Sequence, residues 1–468
     1  MLEFTMTIAG RPAATRSRFP VENPATGEVI AEAPECDSEQ LDEAMHAAES
    51  AFAAWSVDKP PRRRALTALA DAVQSNLDEF AEMITSEQGK PIAEARAEVG
   101  DAINDLRYFA TLEVPEEIVR DDQRCAVKVL RRPAGPVAAI TPWNFPLGTA
   151  IAKVAPALAS GCTIVLKSSP FTPLTCLRFG ELTRGLLPDG VLNVLSGSNE
   201  LGAAMVEHHI PRMVSFTGSV ATGKRIARAA AVDLKRITLE LGGNDPAILL
   251  DDVDVDAVAE GLFANAFANC GQVCVAIKRV YAPERIYDRV VTALADRAQA
   301  VKVGDGHLAS TVVGPLCNRM QFERVSELVA DALARGGQAV VGGRPIESPG
   351  YFFEPTVLSG VDDGTRIVDE EQFGPALPVV PYRDLEDAIR RANATHFGLG
   401  ASIWCSDTER AAALAPSIEA GTVWINTHQS AVPGQPFGGL KWSGLGVEGG
   451  PWGLISFTEI QAIHVARD

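Results

Sequence analysis

No stretch of this 468-residue chain stays apolar for the roughly 20 residues that a membrane-spanning helix needs. Basic residues are in deficit: 42 Lys and Arg stand against 60 Asp and Glu, a net charge of −18. Such a chain offers no broad basic face, so neither nucleic acid nor a membrane is expected as a partner. An anionic cofactor needs only a local positive site and stays open. The first 20 residues lack the charged-then-apolar pattern of a secretory signal, and a cytoplasmic protein is expected. Cysteine is sparse and scattered, at positions 36, 125, 162, 176, 270, 274, 317 and 405. No second close pair and no His-x-x-x-His accompanies Cys270 and Cys274, so no metal site is expected. A disulfide framework does not suit so large a chain of cytosolic character. Internal repeats, low-complexity tracts and long linkers are missing too.

What is present is ordinary globular material, 46% hydrophobic and 22% charged, and long enough for two or three domains. Asn23-Pro-Ala-Thr-Gly27 reads as a turn between two extended runs. Asp37 is a candidate N-cap for a helix through Trp55, and Pro60-Pro61 breaks that helix. Further helices are predicted over 62–87 and 92–112, with their charges read as solvated faces. The segment 114–132 has no helical period, and its end, 125–131, alternates like a strand. Together with an extended run over 455–465, it is expected to reach a partner subunit.

From Gly135 the pattern becomes strand, turn, helix, repeated. Strands are predicted at 137–140, 163–166, 191–195 and 213–216. Short apolar strands alternating with helices predict a doubly wound parallel sheet, with ligands at the carboxyl ends of the strands. That rule selects Asn144, Lys167 and Thr217-Gly-Ser219 together. After Gly243 a second series follows, with strands at 247–250, 279–282, 339–341, 379–380 and 421–425. It predicts a second α/β domain.

Several stretches carry chemistry. Phe267-Ala-Asn-Cys-Gly-Gln-Val-Cys-Val-Ala276 follows a helix over 254–269 and holds two cysteines around Gly271, which permits a sharp turn that presents a thiol. Buried small residues, a redox pair or half a metal site fit the same spacing. Glu240 sits between leucines beside Gly242-Gly243, where a carboxylate is costly unless paired or raised in pKa, as a general base is. A salt-bridged edge glutamate is the alternative. Asn144 offers a side-chain N–H to an oxyanion, or closes an Asx turn. Phe216-Thr-Gly-Ser-Val-Ala-Thr-Gly223 opens a helix whose free amides suit phosphate, although a plain strand-to-helix turn reads the same. Lys167 suits ribose or phosphate. Glu371-Gln-Phe-Gly-Pro375 pairs an acid with an aromatic wall, and 437–448 is a Gly-rich loop ending in Glu448.

Their order is more telling than any one of them. Thr-Pro-Trp-Asn-Phe-Pro, Phe-Thr-Gly-Ser-x-x-x-Gly, Leu-Glu-Leu-Gly-Gly, Gly-Gln-x-Cys, Glu-x-Phe-Gly-Pro and Phe-Gly-Gly-x-Lys-x-Ser-Gly-x-Gly resemble the aldehyde dehydrogenase superfamily across essentially the whole chain. The resemblance implies two doubly wound Rossmann-like α/β domains plus a small β oligomerisation element. The cofactor-binding domain would span 1–114, 134–242 and 443–457, the catalytic domain 243–442, and the oligomerisation element 115–133 and 458–468. Cys274 matches the nucleophile, Glu240 the base that activates water, and Asn144 the oxyanion holder. Lys153 and Glu448 match positions of a second proton route. Ile140, Trp143, Lys167, Gly218, Ser219, Gly223, Leu241, Glu371 and Phe373 match cofactor positions. Phe145, Thr149, Ala152, Ala268, Val273, Ala431 and Phe437 match the substrate tunnel. The implied chemistry is thiolate attack on an aldehyde, hydride transfer to NAD or NADP, and hydrolysis of the thioester, in a homodimer or homotetramer.

Departures from the pattern shape the expectations. Pro170 stands where many members place a glutamate that disfavours a 2′-phosphate, which weakens discrimination; NAD is expected over NADP. Asn244 replaces a common lysine, without an evident reason. Small residues at 149, 152, 268 and 431 predict a wide apolar tunnel for a bulky apolar or aromatic aldehyde. Ala152 stands where some succinate-semialdehyde enzymes place an arginine, which counts against a dicarboxylic semialdehyde. Semialdehyde oxidation is the alternative. So is transfer of the acyl group to coenzyme A, although Glu240 argues against an acylating enzyme. A non-catalytic relative fits least, since Cys274, Glu240 and Asn144 are all retained. Cys270 is expected at the tunnel wall, as a bystander or as a partner in a reversible disulfide.

Overall fold

Val137–Ile140, Ile164–Lys167 and Leu192–Leu195 are each buried along their whole length. A strand apolar on both faces needs helices on both sides, which is what a parallel sheet supplies. The computed structural model describes residues 3–57 and 59–467. In it these strands join Met213–Thr217 and Arg236–Glu240 as five neighbouring parallel strands. Antiparallel Gly444–Leu445 closes one edge, and Met6–Ile8 with Arg11–Ala13 closes the other. The strand order reverses between Val137–Ile140 and Met213–Thr217. In a doubly wound sheet that switch point opens a crevice at the carboxyl ends.

The second sheet has seven strands, with Asp245–Leu249 and Ile277–Pro283 side by side at its centre. Its strands Thr356–Ser359 and Gly400–Trp404 are not among the predicted ones; both are short. Only four residues, 241–244, separate the end of Arg236–Glu240 from the start of Asp245–Leu249. The carboxyl edge of the first sheet therefore faces the amino edge of the second. The chain crosses this cleft where Glu240 ends one sheet.

A third sheet of Glu117–Asp121, Cys125–Pro133 and Thr458–Ala466 stands apart, and nine residue pairs join its last two strands. It exposes Ile118, Val119, Ile460, Ile463 and Val465. The extended C-terminal run starts later than predicted, because Ile455 and Ser456 finish the short helix Gly450–Ser456.

The N-terminal helices correct three sequence expectations. The first, Ser38–Trp55, carries the predicted cap, a reciprocal box of Asp37 and Gln40. The stretch 62–87 is two helices, Lys59–Ser75 and Leu77–Gln88, parted at Asn76. Pro60 and Pro61 do not stop a helix; they occupy the first turn of one, where a missing N–H costs nothing. Nor are the charges on these helices all solvated. Arg62, Glu87 and, on the helix Ile92–Thr111, Glu98 are buried, as is Lys90 in the link between Leu77–Gln88 and Ile92–Thr111. Arg62 donates to the carbonyls of Trp55 and Ser56, and Glu87 accepts from the amides of Leu174 and Thr175. Among the described residues, no helix is long and apolar enough to cross a membrane.

Candidate active site

The helix Val255–Phe267 runs into a tight 3-10 turn, Ala268–Gly271. Asn269, Cys270 and Gly271 there take φ of 50°, 58° and 70°. Left-handed backbone at two non-glycine residues is strained and persists only when the surroundings fix it. The fixing groups are visible. The Asn269 amide donates to Glu94 Oε2 at 2.8 Å. Lys278 Nζ donates to the carbonyls of Gly271 and Gly374, tying this turn to the 371–375 loop. A side chain at 271 would meet the Gly374 carbonyl at 2.2 Å, so glycine is required there. The turn delivers Cys274, half-buried, to the cleft.

Cys270 does not share that position. It is 1% exposed and packs with Leu316, Val325 and Tyr281 on the core side of the turn. Cys274 belongs to another apolar cluster, with Val273, Leu399 and Trp424. Cys270 is thus a core residue rather than tunnel wall. Burial foremost, then the carboxylates of Asp245, Glu240 and Glu371, push the Cys274 thiol above its ordinary value.

Asn144 lies four residues beyond the end of Val137–Ile140, at the switch point. Its Nδ2 donates to the Gln272 carbonyl at 2.9 Å, so the candidate oxyanion donor is engaged with the cysteine loop. Its own carbonyl accepts from Asn269 Nδ2 at 3.0 Å and from Lys90 Nζ at 2.8 Å. Sequence reasoning passed over Lys90. It pairs with Glu98 at 2.6 Å, both side chains almost wholly buried, and lies 3.7 Å over the Phe145 ring. Glu98 in turn accepts the amides of Leu147 and Gly148, which open the helix Pro146–Ser160. The cation thus holds the Asn144 peptide, and the acid holds the helix that follows it. A Gly-Lys-Pro step at a helix end was the available signal. Lys90→Met strands the Glu98 carboxylate, and unfolding stability is expected to fall by about 3–5 kcal/mol. Urea denaturation measures this, and Lys90→Met/Glu98→Gln should recover part of the loss.

Glu240 is 3% exposed, and neither carboxylate oxygen has a hydrogen-bond partner among the described residues. It is not a salt-bridged edge residue, because Gly444–Leu445 pairs outside its strand. Burial foremost, with the Glu448 charge adding and Lys153 opposing, raises it well above the ordinary carboxylate range. Lys153 Nζ pairs with Glu448 Oε1 at 2.7 Å and donates to Thr217 Oγ1 at 2.7 Å. These two come together from positions 295 residues apart.

On the crevice side, Ser219 caps the helix Val220–Ala230 by accepting the Thr222 amide, and the Gly218 amide bonds the Glu240 carbonyl. Gly223 packs on Leu241, and Ile140 lies against Gly202 beside the Lys167 chain. Lys167 is buried, donates to the Ser168 carbonyl at 3.0 Å and is pulled down to about 8 by burial. Glu371 accepts the Gly243 amide at 2.9 Å, and burial pushes it up to about 7. Trp143 and Phe373 meet edge to face, 5.3 Å between centroids, as one wall.

Of the tunnel positions, Phe145, Ala268, Val273 and Phe437 join the apolar cluster that holds Cys274. Thr149 and Ala152 are half-buried on the helix Pro146–Ser160, the Thr149 hydroxyl turned back onto the Phe145 carbonyl. Ala431 lies in an exposed stretch and is not brought to this cluster. Asn244 now has an account: its Nδ2 donates to the Val368 carbonyl and its own carbonyl accepts from Arg279.

A half-buried thiol, a high-pKa carboxylate and an amide donor thus gather near the crevice at the strand switch point. Comparison with known proteins agrees. The model of the aldehyde dehydrogenase family matches residues 11–463. The mitochondrial succinate-semialdehyde dehydrogenase of Arabidopsis thaliana is 39% identical over 453 residues, 95% of this chain and 85% of that protein. The succinate-semialdehyde dehydrogenase [NADP(+)] GabD of Escherichia coli is 38% identical over 451 residues, 94% of this chain and 93% of that one. The structure of betaine aldehyde dehydrogenase from Staphylococcus aureus in complex with NAD+ has a TM-score of 0.97 at 34% identity, covering 100% of this chain and 96% of that chain. The chain belongs to the aldehyde dehydrogenase family, and it is an oxidoreductase that acts on aldehydes.

Proposed function

We propose that the protein oxidises a bulky apolar or aromatic aldehyde to its carboxylic acid, with NAD preferred over NADP. The observation that carries the substrate class is the apolar cluster of Phe145, Ala268, Val273, Trp424 and Phe437 around Cys274. A cofactor suits the crevice at the strand switch point, where Gly218 and Ser219 start a helix and Lys167 ends a neighbouring strand. Ile140, Trp143, Gly223, Leu241, Glu371 and Phe373 would complete its walls. Bound there, the nicotinamide would supply the hydride acceptor.

The chain's own residues do the rest. Cys274 gives its proton to water in the cleft and attacks the carbonyl carbon as thiolate, and Asn144 Nδ2 turns from Gln272 to the developing oxyanion. Loss of hydride leaves a thioester on Cys274. Glu240 then takes a proton from water, whose oxygen attacks the thioester and restores the thiol. The Lys153–Glu448 pair next to Glu240 gives that proton a way out. The exposed apolar residues of the three-stranded arm support assembly into a homodimer or homotetramer.

Semialdehyde oxidation is the second reading, favoured by the names of the two curated relatives. Against it stands Ala152, which offers no cation to a distal carboxylate. A steady-state panel of apolar, aromatic and acidic aldehydes with both cofactors separates the two. Apolar aldehydes are expected to exceed succinate semialdehyde in kcat/KM by about tenfold or more. The reverse order would replace the first reading by the second.

A further inference from the structure

Directly behind Cys274 lies a buried acid and base that the reaction above does not use. Asp245 begins the strand Asp245–Leu249 and is 1% exposed. His428, in the loop after Thr422–Ile425, is 2% exposed. His428 Nε2 lies 3.5 Å from Asp245 Oδ2, and neither side chain makes a hydrogen bond among the described residues. The site is shaped for the carboxylate. A Cβ at Gly400 would meet Asp245 Oδ2 at 2.3 Å. A Cβ at Gly243 would meet Asp245 Oδ1 at 2.8 Å and the Cys274 carbonyl at 2.4 Å, so acid and nucleophile share one glycine. His428 tilts against Trp424, 4.7 Å between centroids, and Trp424 packs in the cluster of Cys274.

A buried carboxylate without hydrogen bonds needs a counter-charge. Lys278, on the adjacent strand, has its ammonium engaged by the Gly271 and Gly374 carbonyls. Glu240 and Glu371 also face Cys274, and both add negative charge when ionised. His428 is the group set against Asp245 itself.

We infer that Asp245 and His428 form a positioning pair, in which the imidazole set against the Asp245 carboxylate offsets its charge beside Cys274 and so sets how readily the thiol ionises. The inference rests on Cys274 as the nucleophile. Its test needs no turnover: the pH profile of Cys274 alkylation by iodoacetamide in the full chain, quantified by peptide mass spectrometry. His428→Gln is expected to shift the profile to higher pH and slow alkylation about tenfold near neutrality. Asp245→Asn should shift it to lower pH, and Asp245→Asn/His428→Gln should be faster than His428→Gln alone. A wild-type profile in His428→Gln, or a double variant as slow as the single, overturns the pair. If His428→Gln does not fold, Asp245→Asn decides, and unchanged or slower alkylation overturns it. The catalytic role of Cys274 is tested separately, by turnover of Cys274→Ala, so the two ideas fail apart.

Discussion

Cys274→Ala is expected to lower aldehyde oxidation by about four orders of magnitude or more, with NAD(P) affinity unchanged. The reaction has no route to a thioester without the sulfur, and neighbouring groups cannot replace a covalent nucleophile. Cofactor contacts are proposed on the crevice side, from the strand ends near Lys167 and Thr217, so losing one sulfur atom leaves them in place. Steady-state assay with the preferred aldehyde, beside cofactor titration by fluorescence, measures both halves. Turnover within tenfold of wild type would remove Cys274 from its proposed role. The same change at Cys270 has no such expectation, since Cys270 packs in a separate core cluster.

Glu240→Gln gives the second large effect. Hydride transfer should survive, because the thiohemiacetal collapses without help from this carboxylate. Hydrolysis should slow by about 10²–10³-fold. Rapid mixing would then show about one equivalent of reduced cofactor per site, followed by a slow steady state. The pH dependence has a definite sign. Burial holds Glu240 above the usual carboxylate range, so its basic form grows as pH rises through that raised value. Steady-state turnover of the wild type should climb with pH there, and the glutamine variant should lose that climb. A variant that lacks the burst and slows hydride transfer instead would move Glu240 to another step.

Much of this architecture was legible in the chain. Strand-helix alternation from Gly135 onward announced the first sheet, because short strands buried on both faces read as continuous apolar runs. The capped helix Ser38–Trp55 was legible for a local reason: Asp37 and Gln40 satisfy one another within four residues. The buried charges were not. Lys90, in the link after Leu77–Gln88, and Glu98, on the helix Ile92–Thr111, each look like a solvated charge, and only the approach of Asn144 and Phe145, about 50 residues away, encloses them. The paired helices around Asn76 were read as one, because a single break leaves the apolar period on either side intact.

By itself the sequence determined the family, the doubly wound class and the identity of the chemical groups, since each rests on local patterns of residue type and spacing. It did not distinguish the two cysteines by burial. That was decided by three consecutive residues of positive φ, which turn Cys270 into the core and leave Cys274 in the cleft. Nor did it join Asp245 to His428, because charges that meet across the fold have no sequence period. Their partnership comes from the second sheet, where Asp245 opens Asp245–Leu249 and His428 follows Thr422–Ile425, and low dielectric makes the pairing matter.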